Sequence, residues 1–462
     1  MEWVRECMVL LEEKNYSWVA SLSAIDFLEN NLWEADRFPI HLKNHLWCFP
    51  AHDFCSEAGE GLIPDFFELH QGGFFQRDAE LQALRDLLSR VLTFEDVDLN
   101  DKTQYLLSRK NDAIAVSQHL TMGMSPKKKH EVVIMSGIFD SLLSGPIDKI
   151  VELGCGHGYL SSFLALSGQR NNRSILGIDL SELNCLAASK RHFKISRAKA
   201  FKATAEHVNI NFRPGYFSEN SPRGLYDGEE DRWSIWTSLH GCGNLSVSMI
   251  RKWAQEETAK ILLQVGCCYH RLDVPGNFPL SRHFCEIKLT KGHLNSACQA
   301  PPERRISHKE MLLHYYGALF HVFFAVFLAL GLFDSSSLPF LGSMKAVPVH
   351  LGFGAFARAI FGHERKPFQG GEKFKNLTDA CFNAILPELQ SSDAFRKLSL
   401  LFAIQRLLGP CYEMLILADR VQWLRELGYI GSLIRIFDRK VSPRSYLVSA
   451  YKQQLYSSQL SY

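Results

Sequence analysis

The sequence predicts an α/β fold in which a doubly wound, mostly parallel sheet carries helices on both faces. The first observation is that, from about residue 147 onward, short apolar runs bounded by turn residues alternate with helical patterns. These runs read IDKIVEL, SILGIDL, SIWTSLH and KILLQVG. The second observation is a glycine-rich turn directly after the first run, and the third is a pair of strand-like runs near the end of the chain.

Length and composition are those of a globular chain. The 462 residues allow two to four domains, or one large domain with an insertion. Apolar residues make up 46% and charged residues 22%, which excludes a disordered, collagen-like or coiled-coil chain. Because Lys and Arg number 51 against 49 Asp and Glu, a polyanionic partner must be held by a local patch rather than by the net charge.

Changes in the pattern of apolar residues divide the chain into four predicted regions. Residues 1–125 are helical, as the three-four spacing of leucines in ELQALRDLLSRVL indicates. Residues 126–285 contain the alternating pattern and form the core. Residues 286–425 return to helical patterns and are a helical insertion. Residues 426–462 complete the sheet, because SLIRIFD and SYLVSAYK, separated by RKVSPR, are typical of a strand hairpin.

Cysteine usage and the first residues predict the compartment. The twelve cysteines follow no regular framework, and the start MEWVRECMVLLEEKN carries Glu2, Arg5 and Glu6 where a signal peptide needs an apolar run. We therefore expect free thiols in a reducing compartment, and an intracellular protein in the cytoplasm or nucleus.

One apolar run, Met311–Phe333, is long enough to cross a bilayer. Its first half, however, contains His314, Tyr315, Tyr316 and His321, and no second span accompanies it. We interpret the run as a helix buried inside a large domain and expect no stable membrane insertion.

The turn after the first strand has the pattern of a ligand cradle. It reads Glu152-Leu153-Gly154-Cys155-Gly156-His157-Gly158, and glycines at alternate positions let the backbone turn sharply and approach a ligand. A dinucleotide fingerprint would read G-x-G-x-x-G, whereas E-x-G-x-G-x-G resembles motif I of S-adenosylmethionine-dependent methyltransferases. The second strand ends in Asp179, where a carboxylate can accept hydrogen bonds from both ribose hydroxyls.

The predicted cofactor is S-adenosyl-L-methionine. Glu152 would act through its charge near the cationic part of the cofactor, directly or through a water. The predicted cofactor-binding residues are Glu152, Gly154, Cys155, Gly156, His157, Gly158 and Asp179.

Cysteines and histidines follow two further strands. The fourth strand runs into His240-Gly241-Cys242-Gly243-Asn244 and the fifth into Cys267-Cys268-Tyr269-His270. In a methyltransferase-type sheet the first, fourth and fifth strands are neighbours, so we expect these residues, with Cys155 and His157, to lie near one cleft. Three interpretations stay open: small residues that tolerate tight backbone, a metal site, or a nucleophilic cysteine.

Sequence spacing weakens the two sharper interpretations. No C-x-x-C is present and the spacing fits no zinc module, so no metal ligand is assigned. RNA cytosine-5 methyltransferases use a cysteine near these strands, but the Pro-Cys of that site is absent. The Asn/Asp-Pro-Pro-Tyr/Phe of adenine-N6 methyltransferases is absent too. His240 is the best-placed group for substrate orientation or proton acceptance. The candidate catalytic residues are His240, Cys242, Asn244, Cys267 and Cys268.

Several motifs together resemble one family. They are MSPKKKHEV at 124–132, ELGCGHG at 152–158, LHGCGNL at 239–245, VGCCYH at 265–270, LILADR at 415–420 and VSPR at 441–444. They are similar to those of the methyltransferase-like protein 25 family over about residues 100–455. The resemblance implies a seven-stranded, Rossmann-like methyltransferase sheet with S-adenosylmethionine as cofactor. One departure is Asn244, because the family usually has an acid there.

Two basic segments are candidates for contact with an acceptor. Lys127, Lys128 and Lys129 precede the first strand, where two interpretations stay open: contact with a phosphate, an acidic substrate or the cofactor's carboxylate, or a solvated helix end. A second cluster follows the second strand and is either an exposed helix face or an RNA contact. It comprises Lys190, Arg191, Lys194, Arg197, Lys199 and Lys202.

The leading hypothesis from the sequence is an S-adenosylmethionine-dependent methyltransferase whose acceptor, RNA or protein, is unknown. The alternative keeps the fold without the chemistry, as a catalytically inactive scaffold that binds a protein partner.

Overall fold

The computed structural model describes residues 2–24, 32, 35–39, 79–93, 119–142, 147, 149–167, 174–198, 201, 209–226, 233–300, 306–329, 349–361 and 392–452. Its centre is a seven-stranded sheet of β1 (Lys149–Leu153), β2 (Ser174–Asp179), β3 (Asn209–Pro214), β4 (Ser234–Cys242), β5 (Ala259–Cys267), β6 (Ile430–Arg435) and β7 (Tyr446–Tyr451). The strand order is β3-β2-β1-β4-β5-β7-β6. The first five strands are parallel, and β7 runs antiparallel to both β5 and β6. The predicted α/β fold is confirmed.

The central strands are buried on both faces, as continuous apolar runs require. Every residue of β1 and of β5 is buried. The sequence pattern did not indicate β3, an edge strand whose residues are all exposed or half-buried. An edge strand carries polar side chains because one face and one side stay wet, so its apolar signal is weak.

The two late strand-like runs form the predicted hairpin. The β6 and β7 strands pair in antiparallel register with Leu433 opposite Val448, and β7 pairs with β5 through Leu262 opposite Ala450. The chain thus returns to the sheet after a long excursion, and β7 lies between β5 and β6.

Helices and short turns make up the other described elements. The α-helices are α1 (Glu2–Glu13), α2 (Tyr16–Ser21), α3 (Ala79–Thr93), α4 (Pro126–Leu142), α5 (Tyr159–Ser167), α6 (Glu182–Ser196), α7 (Arg223–Tyr226), α8 (Asn244–Gln255), α9 (Lys291–Ala297), α10 (His308–Ala329), α11 (Phe353–Phe361) and α12 (Ser392–Glu426). Short 3-10 turns occupy Tyr269–Arg271, Arg282–Phe284 and Val349–Leu351.

The chain separates into two compact units. One comprises Met1–Cys7, Ser89–Pro301 and Pro410–Tyr462, and it contains the whole sheet. The other comprises Met8–Leu88 and Pro302–Gly409, and its described residues form helices and turns. The predicted four-region division at residues 125, 285 and 425 stays a prediction.

The predicted apolar helix begins earlier than its apolar run. It spans His308–Ala329 as α10, and residues 330–333 of the run lie outside the described residues. Among the described helices, one segment, Ala394–Glu426, is long and apolar enough to span a membrane. Its apolar window is entirely buried inside the protein, as in the core helix of a globular domain.

The topology places the carboxyl ends of β1, β2, β4 and β5 on one edge of the sheet. The strand order reverses between β1 and β4. In an open parallel sheet, ligands bind outside the carboxyl ends at such a reversal.

Candidate functional site

The glycine turn after β1 is tied to the end of β2. The backbone N–H groups of Gly154 and Cys155 both donate to the carbonyl of Ile178, at 2.8 and 3.1 Å. All three glycines of the turn have positive φ, between 53° and 73°. At Gly158 a Cβ would lie 2.7 Å from the ring of Phe212 and 2.8 Å from Ala188, so glycine is needed there for both conformation and space. At Gly156 a Cβ would meet nothing within 4 Å, so the turn faces open space at this point.

Asp179 joins the two strand ends. One carboxylate oxygen accepts a hydrogen bond of 2.9 Å from the backbone N–H of Gly156. The other accepts from the backbone N–H of Ser181 and from the side chain of Asn184, each at 2.9 Å. The next residue, Leu180, is 72% exposed. The Asp179 carboxylate, which accepts hydrogen bonds, and the exposed apolar side chain of Leu180 thus both lie beside the glycine turn.

Glu152 lies beneath the turn rather than in the open. Its side chain is buried, and its Oε2 accepts hydrogen bonds from the backbone N–H of Ser161, at 3.0 Å, and from the Ser161 hydroxyl. Burial raises the pKa of Glu152 to about 7, although both bonds from Ser161 oppose the shift. The carboxylate therefore holds the first turn of α5, with a pKa close to neutral pH.

His240, at the end of β4, is bonded to a buried acid. Its Nε2 lies 3.1 Å from Oε2 of Glu131 on α4, and the other oxygen of Glu131 accepts a 2.7 Å hydrogen bond from the hydroxyl of Ser442. Burial alone would raise the pKa of Glu131, but these hydrogen bonds and the charges of His240 and Lys127 lower it to about 2. Glu131 is therefore ionised, and it fixes the orientation of the imidazole.

The lysines before β1 divide between two environments. Lys127 and Lys128 each place Nζ 3.5 Å from a different oxygen of Glu131, so they neutralise the buried carboxylate. Lys129 is exposed. Of the three predicted phosphate contacts, Lys129 is the one directed to solvent.

The second basic cluster is partly structural. Arg191 donates to the carbonyls of Met122 and Leu120 at 2.6 and 2.9 Å, and its guanidinium stacks on Tyr159 at 4.2 Å. Lys190 is exposed on the same helix. Lys199 and Lys202 lie outside the described residues.

Three of the predicted cysteines come together. Cys242 and Cys267 are register partners on β4 and β5, and their Sγ atoms lie 3.0 Å apart. The Sγ atoms of Cys267 and Cys268 are 3.6 Å apart. Hydrogen bonds from Cys242 and Cys267 lower the pKa of the Cys268 thiol, and the bonds to Cys242 and Cys268 raise that of Cys267. The trio therefore ionises first at Cys268.

The other predicted cysteine and histidine residues have different neighbours. Cys155 points toward β2, where its Sγ lies 3.0 Å from the position of a Cβ on Gly177, and burial raises the pKa of its thiol. The ring of His157 is 6.1 Å from that of Tyr159. His270 Nδ1 lies 3.3 Å from Sγ of Cys298. Cys242, Cys267 and Cys268 thus meet, whereas Cys155, His157, His240 and His270 each contact another group.

Asn244 holds the loop that follows β5. Its amide donates to the carboxylate of Asp273, and its oxygen accepts from the backbone N–H of Asp273, at 2.9 Å, and from the side chain of Asn277, at 2.8 Å. The N-cap of α8 is Gly243, with no side-chain bond. Asn244 thus ties the start of α8 to the loop after β5 and does not cap its helix.

The central part of the chain is similar in sequence to a known domain family. A family model described as a methyltransferase domain matches residues 127–275. This range covers most of α4 through the loop after β5 and contains every predicted site residue. Residues 127–275 are therefore similar to a methyltransferase domain.

Two curated relatives have the name of the family that the sequence motifs resemble. The probable methyltransferase-like protein 25 of Homo sapiens is 36% identical over 107 residues, which cover 23% of this chain and 17% of that protein. Its counterpart in Mus musculus is 26% identical over 253 residues, 48% of this chain and 38% of that protein. The resemblance is confirmed, and each match spans less than half the length of the relative.

Among solved structures, an S-adenosylmethionine-dependent methyltransferase from Geobacter sulfurreducens in complex with S-adenosyl-L-homocysteine aligns with 35% of this chain and 54% of its own. The identity is 16% and the TM-score 0.22.

Sequence reasoning did not assign Glu131, Ser442 or Leu180 to the site. Glu131 and Ser442 both lie in segments that resemble the family, at 124–132 and 441–444. The available sequence signal was an acid that follows three lysines near the start of a helix, and the structure shows that two of these lysines are partners of the buried carboxylate.

Proposed function

We propose that the chain transfers a methyl group from S-adenosylmethionine to an acceptor. The observation that carries the proposal is the junction of the glycine turn with Asp179, in which the Gly156 N–H donates to the carboxylate beside open space. The glycine turn follows β1, which borders the reversal of the strand order, and ligands bind beside such a reversal in this kind of sheet. The methyltransferase-domain match over residues 127–275 supports the same proposal.

The residues present fit the cofactor. Asp179 keeps acceptor capacity for ribose hydroxyls, because a carboxylate offers about four lone-pair positions and accepts three bonds here. Leu180 offers its exposed side chain to a base. Gly156 leaves room for close approach. When bound, the cofactor supplies a methyl group on a positively charged sulfur.

His240 is the group that would orient the acceptor. It stands at the end of β4, next to the carboxyl end of β1 in the sheet, and Glu131 holds its Nε2. If the ring carries its proton on Nε2, the other nitrogen is left as an acceptor. We propose an intracellular acceptor, RNA or protein, with exposed Lys129 and Lys190 as contacts for an acidic segment.

Isothermal titration calorimetry with S-adenosylmethionine and S-adenosylhomocysteine tests the cofactor. We expect saturable binding that Asp179→Ala weakens at least tenfold. Glu182→Ala is the control, since Glu182 is exposed three residues further along the chain, and it should bind normally. The absence of binding at millimolar cofactor, with circular dichroism showing a folded protein, would overturn the proposal.

The second candidate function is a scaffold that retains the fold without methyl transfer. Asn244 favours it, because the resemblance places an acid at this position. One experiment distinguishes the two functions. The protein is incubated with radiolabelled S-adenosylmethionine and an extract from cells that lack this protein. Label in RNA or protein supports the enzyme, whereas cofactor binding without label supports the scaffold.

A further inference from the structure

Three sulfur atoms from two strand ends surround one point. The distances are 3.0 Å between Cys242 and Cys267 and 3.6 Å between Cys267 and Cys268. All three sulfurs lie within 4.8 Å of one another. Cys267 is buried, whereas Cys242 and Cys268 are half-buried, so two of the three residues are partly open to solvent.

The backbone around the sulfurs is built for close approach. Gly243 has φ of +53°, and its N–H donates to the carbonyl of Cys267 at 3.1 Å. A Cβ on Gly243 would lie 2.6 Å from Cβ of Arg271, so only glycine lets the two loops touch. Cys268 itself has φ of +52°. A side chain in the left-handed region strains the backbone, and such strain concentrates at functional sites.

The spacing suits a tetrahedral thiophilic ion. Zinc–sulfur bonds of about 2.3 Å at tetrahedral angles place sulfurs about 3.8 Å apart. The observed separations, from 3.0 Å to at most 4.8 Å, bracket that value. Small side-chain rotations would equalise them. Three thiols in contact without an ion gain only weak hydrogen bonds.

The charge around the sulfurs also suits a bound zinc thiolate. Three thiolates and Zn²⁺ carry a net charge of about −1. Arg420 is buried beside Gly266, where a Cβ would lie 2.7 Å from its Nη1. Among the described residues, neither Nη atom of Arg420 has a hydrogen-bond partner, although the carboxylates of Asp419 and Glu413 act on its charge and the guanidinium lies over the ring of Tyr269. A buried guanidinium next to the cluster is stabilised by a neighbouring negative charge.

We propose that Cys242, Cys267 and Cys268 bind one Zn²⁺ through their three sulfurs, with the fourth position open to water or to an acceptor group. Within the described part of the chain, no His, Cys, Asp or Glu joins the three sulfurs as a fourth ligand. Sequence spacing assigned no metal here because the ligands come from different strands. The inference does not depend on methyl transfer.

The test uses the full chain, reconstituted with Zn²⁺ under reducing conditions and dialysed. We expect about one zinc per chain by elemental analysis, and X-ray absorption should show three sulfur ligands at about 2.3 Å. Replacement by Co²⁺ should give an intense thiolate-to-cobalt charge-transfer band. Cys268→Ser should lower zinc affinity at least tenfold.

Matched variants separate this site from other thiols. Cys285→Ser changes an exposed cysteine and should leave zinc content unchanged. A triple variant Cys48→Ser, Cys55→Ser, Cys381→Ser, at positions outside the described residues, should also keep its zinc. If Cys268→Ser fails to fold by circular dichroism, Cys242→Ala tests the same ligand set.

Three results would overturn the proposal. One is less than about a tenth of an equivalent of zinc in the reconstituted chain. Another is unchanged zinc affinity in both Cys268→Ser and Cys242→Ala. The third is a Cys242–Cys267 disulfide in the reduced preparation, seen as a mass lower by two hydrogen atoms.

Discussion

The Nε2 atom of His240 lies 3.1 Å from Oε2 of Glu131, 109 positions earlier in the chain. Ser442 bonds the other oxygen of the same carboxylate. Segments from before β1, from the last residues of β4 and from between the hairpin strands therefore meet at one buried acid. Because a buried charge needs several partners, each contact should contribute measurably to stability and to the orientation of His240.

The hydroxyl of Ser442 is predicted to stabilise the fold. Ser442→Ala removes a hydrogen bond to a carboxylate, and we expect the free energy of unfolding at pH 7 to fall by about 1.5–3 kcal/mol. Urea denaturation measures this change. The control is Ser449→Ala, because Ser449 is buried on β7 and its hydroxyl has no partner among the described residues. An equal loss in both variants would contradict the assigned bond.

The carboxylate of Glu131 also predicts that the free energy of unfolding falls at acid pH. The folded-state pKa of Glu131 is about 2, below its ordinary value of 4.5. Its ionisation therefore stabilises the protein above pH 4.5, and this contribution is lost as the pH falls from about 4.5 to about 2. The stability difference between wild type and Ser442→Ala should be largest at neutral pH and shrink across that window. A difference that stays constant down to about pH 2.5 would contradict the role of Glu131.

Gly158 should resist replacement. Gly158→Ala puts a Cβ against Phe212 and Ala188 at a residue with φ of +64°, and we expect a loss of about 2–4 kcal/mol in unfolding free energy. Gly137→Ala is the matched control, because Gly137 is within α4 and a Cβ there meets nothing within 4 Å. That variant should be unchanged or up to about 1 kcal/mol more stable. Thermal unfolding of both variants decides the point.

The buried strands were predictable because their apolar runs are continuous and end in turn residues. The sheet, the hairpin and the glycine turn followed from local pattern. The pattern missed β3, whose residues are all exposed or half-buried. It also did not indicate that β5 and β7 would be antiparallel neighbours, although a returning hairpin was expected.

The site was predictable to the level of strand ends and no further. Cys155 follows β1 and Cys242 is the last residue of the adjacent β4, yet Cys155 turns toward β2 while Cys242 meets Cys267. The direction of each side chain depends on the φ values of its turn, which residue spacing does not encode. The bond between His240 and Glu131 likewise depends on how α4 packs across the sheet, a long-range feature of the fold.

Glu152 predicts a second pH dependence, of opposite sign. Its folded-state pKa of about 7 lies above the ordinary 4.5, so its contribution to stability is present below pH 4.5 and is lost as the pH rises through about 7. Glu152→Gln removes this titration. Relative to the variant, the wild type should lose about 3 kcal/mol between about pH 4.5 and 8. Glu182→Gln is the control, because Glu182 is an exposed acid on α6, and its stability should change with pH as that of the wild type does. Denaturant titrations at several pH values measure these changes. If the stabilities of the wild type and of Glu152→Gln change with pH in parallel, the assignment to Glu152 is wrong.

Asn244 should be intolerant of the acid that the family resemblance places there. Asn244→Asp would set a second carboxylate against Asp273, where the amide now donates. Two adjacent carboxylates repel each other, and the lost donor adds its own cost, so we expect about 1–3 kcal/mol lower stability near pH 8. If an acid at this position removes a proton during methyl transfer, the same variant should nevertheless show faster transfer.

The compensating exchange Asn244→Asp with Asp273→Asn makes the test specific. It moves the amide to position 273 and the carboxylate to position 244, so the amide can again donate to the carboxylate. The carboxylate can still accept from the backbone N–H of residue 273 and from Asn277, as Asn244 does now. Stability should therefore recover most of its loss, giving a favourable coupling energy in a double-mutant cycle. Additive losses in the cycle would mean that the pair does not hold the loop, whereas recovered stability without any gain in methyl transfer would assign position 244 to loop positioning alone.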